Sequence, residues 1–181
     1  VVHALLWHEE GDDVSRSLRS DFTCRVAHGS LGARLQLGSQ LRALKYLQAQ
    51  LCLTAEVIRR THELLFQGGF RVVSEELRFS AAGKFRTEGQ SAIAGNHVFP
   101  DVTPEHCVKQ LNEYCQEFEA AVAAEEPIHH PVVIASRLFH AVISLHPFLN
   151  GNGRLCRLLF TYALGRMGVT YPVVLGTWGK K

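Results

Sequence analysis

Several features that define other classes of protein are missing from this chain of 181 residues. It has no apolar run of the roughly 20 residues that a membrane-spanning helix needs. Its formal net charge is only +2, whereas domains that bind nucleic acid usually carry a strong basic excess. The cysteines number five, an odd count, and no two have CxxC spacing, which argues against a disulfide framework or a zinc site. We therefore predict a globular domain with no nucleic-acid partner and no membrane segment.

The remaining composition is typical of one domain with a substantial core. Hydrophobic residues make up 46% of the chain and charged residues 20%, which are ordinary values. The first residues, VVHALLWHEEGDD, turn acidic where a secretory signal would stay apolar, so we expect a cytoplasmic protein. Because the chain begins with Val1 rather than Met, we also expect it to be a fragment or a processed form.

Apolar residues recur at helical spacing along most of the chain. Ser39 and Thr54 predict N-caps for the first two helices, and Thr103 followed by Pro104 predicts the start of a third. The predicted helices span residues 39–51, 55–66, 104–123, 131–145 and 153–167. The predicted buried face of the third helix consists of Val108, Leu111, Cys115 and Phe118.

The stretch 70–98 has a different pattern. It is rich in glycine and small residues, and its FRTEG and SAIAG segments predict a β-hairpin or an extended flap. No internal repeat, low-complexity run or interdomain linker is present. The predicted fold class is therefore mostly α, a helical bundle with one β-hairpin.

The stretch HPFLNGNGR, residues 146–154, lies between the last two predicted helices. Pro147 ends the helix that carries His146, and glycines let the backbone turn and approach a ligand closely. The next helix is predicted to start at about Asn152, where its first N–H groups lack intrahelical partners and the helix dipole adds positive charge. Such a helix start binds anions and is well suited to phosphate.

Two basic side chains and one imidazole complete this loop. Arg154 and Arg157 are three residues apart and share one face of the helix, where a guanidinium offers a planar donor fork to phosphate oxygens. His146 can take a proton from a hydroxyl near physiological pH. A base beside a phosphate site predicts the transfer of a phosphorus-containing group to a hydroxyl. Cys156 is close enough to the loop to be a candidate thiol nucleophile, but we favour a core role because only arginines are present to activate it.

The twelve residues from His146 to Arg157, HPFLNGNGRLCR, resemble the signature of Fic domains, HPFx(D/E)GNGRxxR. The resemblance extends to the preceding helix, ASRLFHAVISL at 135–145, and to GKFRTEG at 83–89, which looks like the start of the family's flap. LTAEVIRRTHELL at 53–65 and GRMGVTYPVV at 165–174 are also similar to segments of the family. The resemblance covers roughly residues 50–175, so we predict a Fic domain at 46–181 and a helical extension of unassigned role at 1–45.

The resemblance implies a Fic fold with the hairpin flap beside the active-site loop, and a protein adenylyltransferase that moves AMP from ATP to a Ser, Thr or Tyr hydroxyl of a target protein. It implies that Mg²⁺ or Mn²⁺ assists and that the flap at 85–98 aligns the target by main-chain pairing. Association with further copies of the chain is left open. The implied roles are general base for His146, loop anchor for Phe148, anion hole for Gly151, Asn152 and Gly153, binding of the outer phosphates for Arg154, and support of the site or a phosphate contact for Arg157.

One position departs from the family signature. Asn150 stands where the family has the Asp or Glu that binds the metal ion, so a neutral oxygen replaces a carboxylate and metal binding should be weaker. Two alternatives therefore stay open: a nucleotide-binding domain with weak or lost transfer, and an enzyme that uses another phosphate-linked donor. Gly153 leaves room for phosphates, and in the family this favours nucleotidyl over phosphoryl transfer. Neither Glu10 nor Glu88 lies in the (S/T)xxxE(G/N) motif of the family's inhibitory helix.

Overall fold

A computed structural model of the chain describes residues 31–66, 82–90, 92–94, 97–124 and 129–169. Helices dominate these residues, which confirms the prediction of a mostly helical fold. The helices are α1 (Leu31–Gln48), α2 (Ala55–Phe66), α3 (Pro104–Ala123), α4 (Pro131–Leu145) and α5 (Asn152–Arg166). No helix in the described ranges is both long and apolar enough to cross a membrane.

Two short strands, β1 (Ala92–Ala94) and β2 (His97–Phe99), pair antiparallel. The register sets Ala92 opposite Phe99 and Ala94 opposite His97. Phe99 is buried, whereas Val98 on the opposite face is 61% exposed and His97 is exposed as well. The strands connect α2 to α3 and bring Phe99 against the end of α4.

The helix starts follow the local capping rules at two of the predicted positions. The Val57 N–H donates to Thr54 Oγ1 at 3.2 Å, and the His106 N–H donates to Thr103 Oγ1 at the same distance. The prediction for Ser39 was wrong, because α1 starts at Leu31 and Ser39 lies within it. The preceding segment, LGARLQLG, contains leucine, alanine, arginine and glutamine, which favour a helix, and these outweigh its two glycines.

The core forms where α5 packs against α1, α2 and α4. Its fully buried residues include Leu47, Ile58, Leu111, Val142, Leu155 and Leu159. The predicted buried face of α3 was wrong at one position, since Val108 is 39% exposed and Cys107 is buried instead. Cys107 lies four residues before Leu111 and shares its inward face, whereas Val108 is turned about 100° from Cys107 around the helix axis.

The proposed division between residues 45 and 46 falls inside α1, a helix that packs on both α2 and α5. Residues 1–30, most of the proposed extension, lie outside the described part of the chain. The two-part organisation therefore stays a prediction.

Candidate active site

His146 follows the last residue of α4 in the left-handed conformation, with φ 51° and ψ 56°. It is the only non-glycine residue with a positive φ in the described part of the chain. This conformation costs a residue with a β-carbon about 1–2 kcal/mol, so surrounding contacts must hold it. Its N–H donates to the Val142 carbonyl at 3.1 Å, and its own carbonyl accepts from Arg86 Nε at 2.7 Å.

The His146 imidazole is fixed by contacts on its edge and its face. Nδ1 lies 3.3 Å from the Ile143 carbonyl oxygen, which can only accept, so Nδ1 carries the proton and Nε2 keeps its lone pair. The ring stacks on Phe99 with centroids 3.8 Å apart. Burial lowers the pKa of His146, the Ile143 bond opposes this, and the electrostatic effects of Arg86 and His97 lower it further. The ring is therefore neutral at pH 7, with an unprotonated Nε2 that can act as a base.

The loop after His146 is anchored by Phe148 and Asn152. The Phe148 ring is fully buried. The Phe148 N–H donates to Asn152 Oδ1 at 3.1 Å, and Asn152 Nδ2 donates to the Phe148 carbonyl at 2.7 Å. Both polar atoms of the Asn152 side chain are thus used inside the loop, so any contact of Asn152 with an anion would come from its main-chain N–H.

Gly151 precedes α5 with φ 81°, and no side chain caps this helix start. A β-carbon at Gly151 would lie 2.7 and 2.8 Å from two atoms of the Phe66 ring. Only glycine fits here, both because of the backbone conformation and because the aromatic ring approaches so closely. The first main-chain bond of α5 runs from the Leu155 N–H to the Gly151 carbonyl at 3.0 Å. The amides before Leu155 therefore form the donor group that a helix start offers to an anion.

The two predicted arginines lie on the first turns of α5. The Arg154 side chain is half-buried, and its Cζ lies 4.9 Å from the centroid of the Phe66 ring, a cation–π contact. Arg157 is exposed, and one of its guanidinium nitrogens lies 3.8 Å from where a β-carbon would stand at Gly153. Both positive charges thus lie at the helix end where the dipole already favours an anion.

Asn150, the candidate metal ligand, is exposed, and its Oδ1 accepts from the Gly151 N–H at 2.7 Å. A carbonyl oxygen has two lone pairs, so one remains for a cation. No group of three or more His, Cys, Asp and Glu that could hold a metal ion occurs among the described residues. Asn150 therefore fits Mg²⁺ only as a single neutral ligand, with phosphate and water oxygens supplying the other positions, as is common in nucleotide sites.

Sequence reasoning missed His62, which connects the loop to α2. Its side chain is buried, and its ring stacks on Phe148 with centroids 3.8 Å apart and planes 4° apart. Gly83 N–H donates to His62 Nδ1 at 3.0 Å, so Nε2 carries the proton and donates to the Asn150 carbonyl at 2.8 Å. Burial lowers the pKa of His62 to about 4, partly opposed by the Asn150 bond and reinforced by Arg154. A single histidine among the apolar positions of α2 was the available signal.

Arg86 was also missed, although it is fully buried. Its main-chain N–H donates to the Pro147 carbonyl at 2.9 Å, and its side chain donates to the His146 carbonyl. One arginine in the FRTEG segment gave no sign of burial, because arginines in turns are usually exposed.

Cys156 does not act as a nucleophile. The thiol is fully buried, and burial raises its pKa to about 12, with a small opposing effect from Arg157. A protonated thiol is a poor nucleophile. The predicted core role of this cysteine is therefore the one that its surroundings support.

Comparisons with known proteins agree on one family. A sequence model described as Fic/DOC family matches residues 52–164. The chain is 31% identical over 134 residues to the protein adenylyltransferase Fic of Nematostella vectensis, covering 74% of this chain and 29% of that protein. It is 33% identical over 91 residues to a Fido domain-containing protein of Dictyostelium discoideum, covering 50% of this chain and 59% of that protein.

A solved structure has the same fold. The crystal structure of a Fic domain containing signaling protein from Bacteroides thetaiotaomicron aligns with a TM-score of 0.59 and 23% identity, over 78% of this chain and 51% of that one. The chain thus spans less than two thirds of the length of each of these relatives. The matched sequence region includes α2 to α5 up to Leu164 and so contains the whole loop of residues 146–154. The chain belongs to the Fic/DOC family.

Proposed function

We propose that this chain is a protein adenylyltransferase that moves AMP from ATP to a Ser, Thr or Tyr hydroxyl of a target protein. The observation that supports this most directly is the neutral His146 ring, with its Nε2 unprotonated, a few residues before an uncapped helix start. Relatives named protein adenylyltransferase Fic support the same reaction.

The phosphates of ATP bind at the start of α5. The main-chain N–H groups of Asn152 and Gly153 donate to them, while the Gly151 N–H stays bonded to Asn150 Oδ1 and Gly151 lets the backbone turn at this point. The helix dipole adds favourable charge. Arg154 binds the outer phosphates with its donor fork, while its cation–π contact with Phe66 limits the rotamers it must give up on binding. The guanidinium of Arg157 lies close to Gly153, so it can add positive charge beside the phosphates or contact a phosphate oxygen directly.

The chemical step moves one proton and exchanges one phosphorus–oxygen bond. Nε2 of His146 takes the proton of the target hydroxyl as its oxygen attacks the α-phosphorus of ATP. The bond from this phosphorus to the bridging oxygen of pyrophosphate breaks, and pyrophosphate leaves. The lowered pKa of His146 keeps the ring in its basic form at neutral pH, and the amide donors stabilise charge on the phosphate oxygens.

Asn150 would hold the assisting Mg²⁺ or Mn²⁺ through its side-chain oxygen. When bound, such an ion neutralises charge on the nucleotide phosphates. Because Asn150 contributes no negative charge, we expect the chain to need more metal than a relative with Asp or Glu at this position. Metal binding is therefore the step at which this site should differ most from that of a relative with Asp or Glu at the same position.

The target protein would lie along the segment 85–98. Exposed edges of paired strands can add an extended peptide by main-chain hydrogen bonds, and β2 is exposed at His97 and Val98. Phe99, at the end of β2, stacks on His146, so a peptide on this edge would have its hydroxyl close to the base.

The test is intact-mass analysis of the chain and a candidate target incubated with ATP and Mg²⁺ or Mn²⁺. We expect an added mass equal to AMP in the wild type and no addition in His146→Ala, which should still bind ATP by calorimetry. No added mass on any protein, with ATP still bound, would instead support a nucleotide-binding domain without transfer. An added mass of a different phosphate-linked group, obtained with another donor, would identify an enzyme that uses that donor in place of ATP.

A further inference from the structure

Arg86 is a buried cation whose side-chain partners in the described part of the chain are main-chain carbonyl oxygens. Its side chain makes three short bonds: Nε donates to His146 at 2.7 Å, one terminal nitrogen donates to Gln90 at 3.2 Å, and the other donates to Pro100 at 2.9 Å. A further contact of 3.5 Å reaches the Leu145 carbonyl. Removing a guanidinium from water costs several kcal/mol, so a site that only filled space would not favour it.

These bonds join three parts of the molecule. Gln90 lies just before β1 and Pro100 just after β2, so the guanidinium holds both ends of the hairpin. Its Nε holds the carbonyl of His146 at the end of α4. The Arg86 N–H also donates to Pro147, so two successive peptide groups at the candidate base are bound by one residue.

The hydrogen bond from Arg86 Nε to the His146 carbonyl is made at a strained point of the backbone. His146 has the unfavourable left-handed conformation, and its carbonyl direction is set by the Arg86 Nε bond of 2.7 Å. A change in this peptide would move the imidazole, because the Nδ1 contact with Ile143 and the stacking on Phe99 both depend on the same backbone. A displacement of about 1 Å at a reacting group can cost about a hundredfold in rate.

We propose that Arg86 is the positioning residue for His146, fixing the direction of the imidazole and coupling it to the hairpin of β1 and β2. The proposal rests on the function proposed above, in which His146 is the general base. A target peptide bound along the hairpin would then lie on a segment that is held in place by the same residue that orients the His146 imidazole.

The charge of Arg86 supplies a second readout. Among the residues that the structure describes, the charged or titratable groups that act on His146 are Arg86 itself and His97 on β2. Both lower the pKa of His146 in addition to the larger effect of burial. Loss of the Arg86 charge should therefore raise the pKa of His146. A residue that stabilised the fold from a distance, without acting on His146, would not produce this change.

Two substitutions separate geometry from charge. Arg86→Lys keeps the charge but loses the planar fork, since an ammonium cannot reach three divergent carbonyls from one plane. Arg86→Met loses both and keeps the apolar stem. The matched control is Arg137→Met, because Arg137 is exposed on α4, the helix that leads to His146.

The experiment measures AMP transfer and the His146 titration in the same proteins. In Arg86→Lys we expect kcat to fall about ten- to a hundredfold, with the KM for ATP changed less than about threefold and the His146 pKa close to wild type. In Arg86→Met we expect a similar or larger loss of kcat and a raised His146 pKa. The titration is followed by NMR of ¹⁵N-labelled histidines, with His146→Ala identifying the signal, and Arg137→Met should match wild type throughout.

The proposal is overturned if Arg86→Lys keeps a wild-type kcat, or if the loss of kcat only tracks an unfolded fraction seen by circular dichroism. It is also overturned if both variants fail to fold, since Arg86 would then serve the fold rather than the base. A wild-type chain that transfers no AMP refutes the proposed function instead. In that case the NMR titration of Arg86→Met, which needs no nucleotide, still decides whether Arg86 acts on His146: an unchanged pKa overturns the proposal.

Discussion

Nε2 of His62 lies 2.8 Å from the carbonyl oxygen of Asn150, and this single bond ties α2 to the loop that precedes α5. The other ring nitrogen accepts from the Gly83 N–H, so the ring connects the loop to the segment that leads into the hairpin. Both bonds are made only when the ring is neutral with the proton on Nε2. Protonation of Nδ1 would remove the acceptor for Gly83 and leave a charge in a buried site.

We therefore expect the stability of the fold to fall in mild acid. The pKa of His62 is lowered to about 4 in the folded chain, against an ordinary value of 6.5. Between these values the unfolded chain binds a proton that the folded chain does not, so stability is complete above pH 6.5 and decreases as the pH falls toward 4. The loss is on the order of 3 kcal/mol, and the lowered pKa of His146 adds to it in the same direction.

Urea unfolding at several pH values between 7 and 4 measures this loss. In His62→Gln the free energy of unfolding should be lower at pH 7 but should depend less on pH. His140→Gln is the matched control, because His140 is exposed on α4 and should leave the wild-type pH dependence unchanged. An equal slope in His62→Gln and wild type would contradict the assignment of the effect to His62.

Gly151 should tolerate no side chain. In Gly151→Ala the β-carbon would meet the Phe66 ring at 2.7 Å, in addition to the cost of a positive φ. We expect a loss of about 2–4 kcal/mol in the free energy of unfolding and weaker ATP binding, since the loop must shift. Gly168→Ala is the control, because Gly168 has a similar φ of 77° and, apart from its chain neighbours, no atom of the described residues lies within 4 Å of the added carbon. Thermal unfolding of both variants separates the clash from the backbone strain, and equal losses would contradict the clash.

Cys156 and Cys52 should differ in reactivity. The pKa of Cys156 is about 12 because the thiol is buried, whereas Cys52 is exposed. Treatment of the folded protein with iodoacetamide at pH 7.5 should label Cys52 and leave Cys156 unmodified, as peptide mass mapping would detect. AMP transfer by Cys156→Ala should stay within about twofold of wild type, because the thiol takes no part in the reaction. Rapid labelling of Cys156 would show that the α5 core opens far more than its packing implies.

The parts of the fold that local rules determine were predictable from the sequence. Thr54 and Thr103 cap the helices that they were expected to cap, and the glycines and histidine of the loop lie where the motif indicated. The predictions for Ser39 and Val108 were wrong because each depended on one choice that the sequence leaves ambiguous. For Ser39 the choice was where the helix starts, and for Val108 it was which of two adjacent residues faces inward.

The residues that hold the site in place were not predictable by spacing. His62 and Asn150 are 88 residues apart, and Arg86 and His146 are 60 residues apart, so their contacts exist only after the helices pack. Pattern analysis finds residues that share a local segment. It cannot find a buried arginine whose partners are main-chain carbonyls, because those partners have no signature in the sequence.

Asn150→Asp should increase AMP transfer. The carboxylate can still accept from the Gly151 N–H, so the loop conformation should persist, and the added negative charge should bind the metal ion more tightly. We expect the rate at low Mg²⁺ to rise about tenfold, which is the lower end of what one extra charge at contact distance can supply. The difference in rate should shrink as Mg²⁺ saturates the site.

Initial rates of AMP transfer against Mg²⁺ concentration measure this for wild type, Asn150→Asp and Asn150→Ala. Asn150→Ala lacks any side-chain ligand and should need the most metal. If all three require the same Mg²⁺ concentration, residue 150 is not a metal ligand, and the metal must be held by the nucleotide without it.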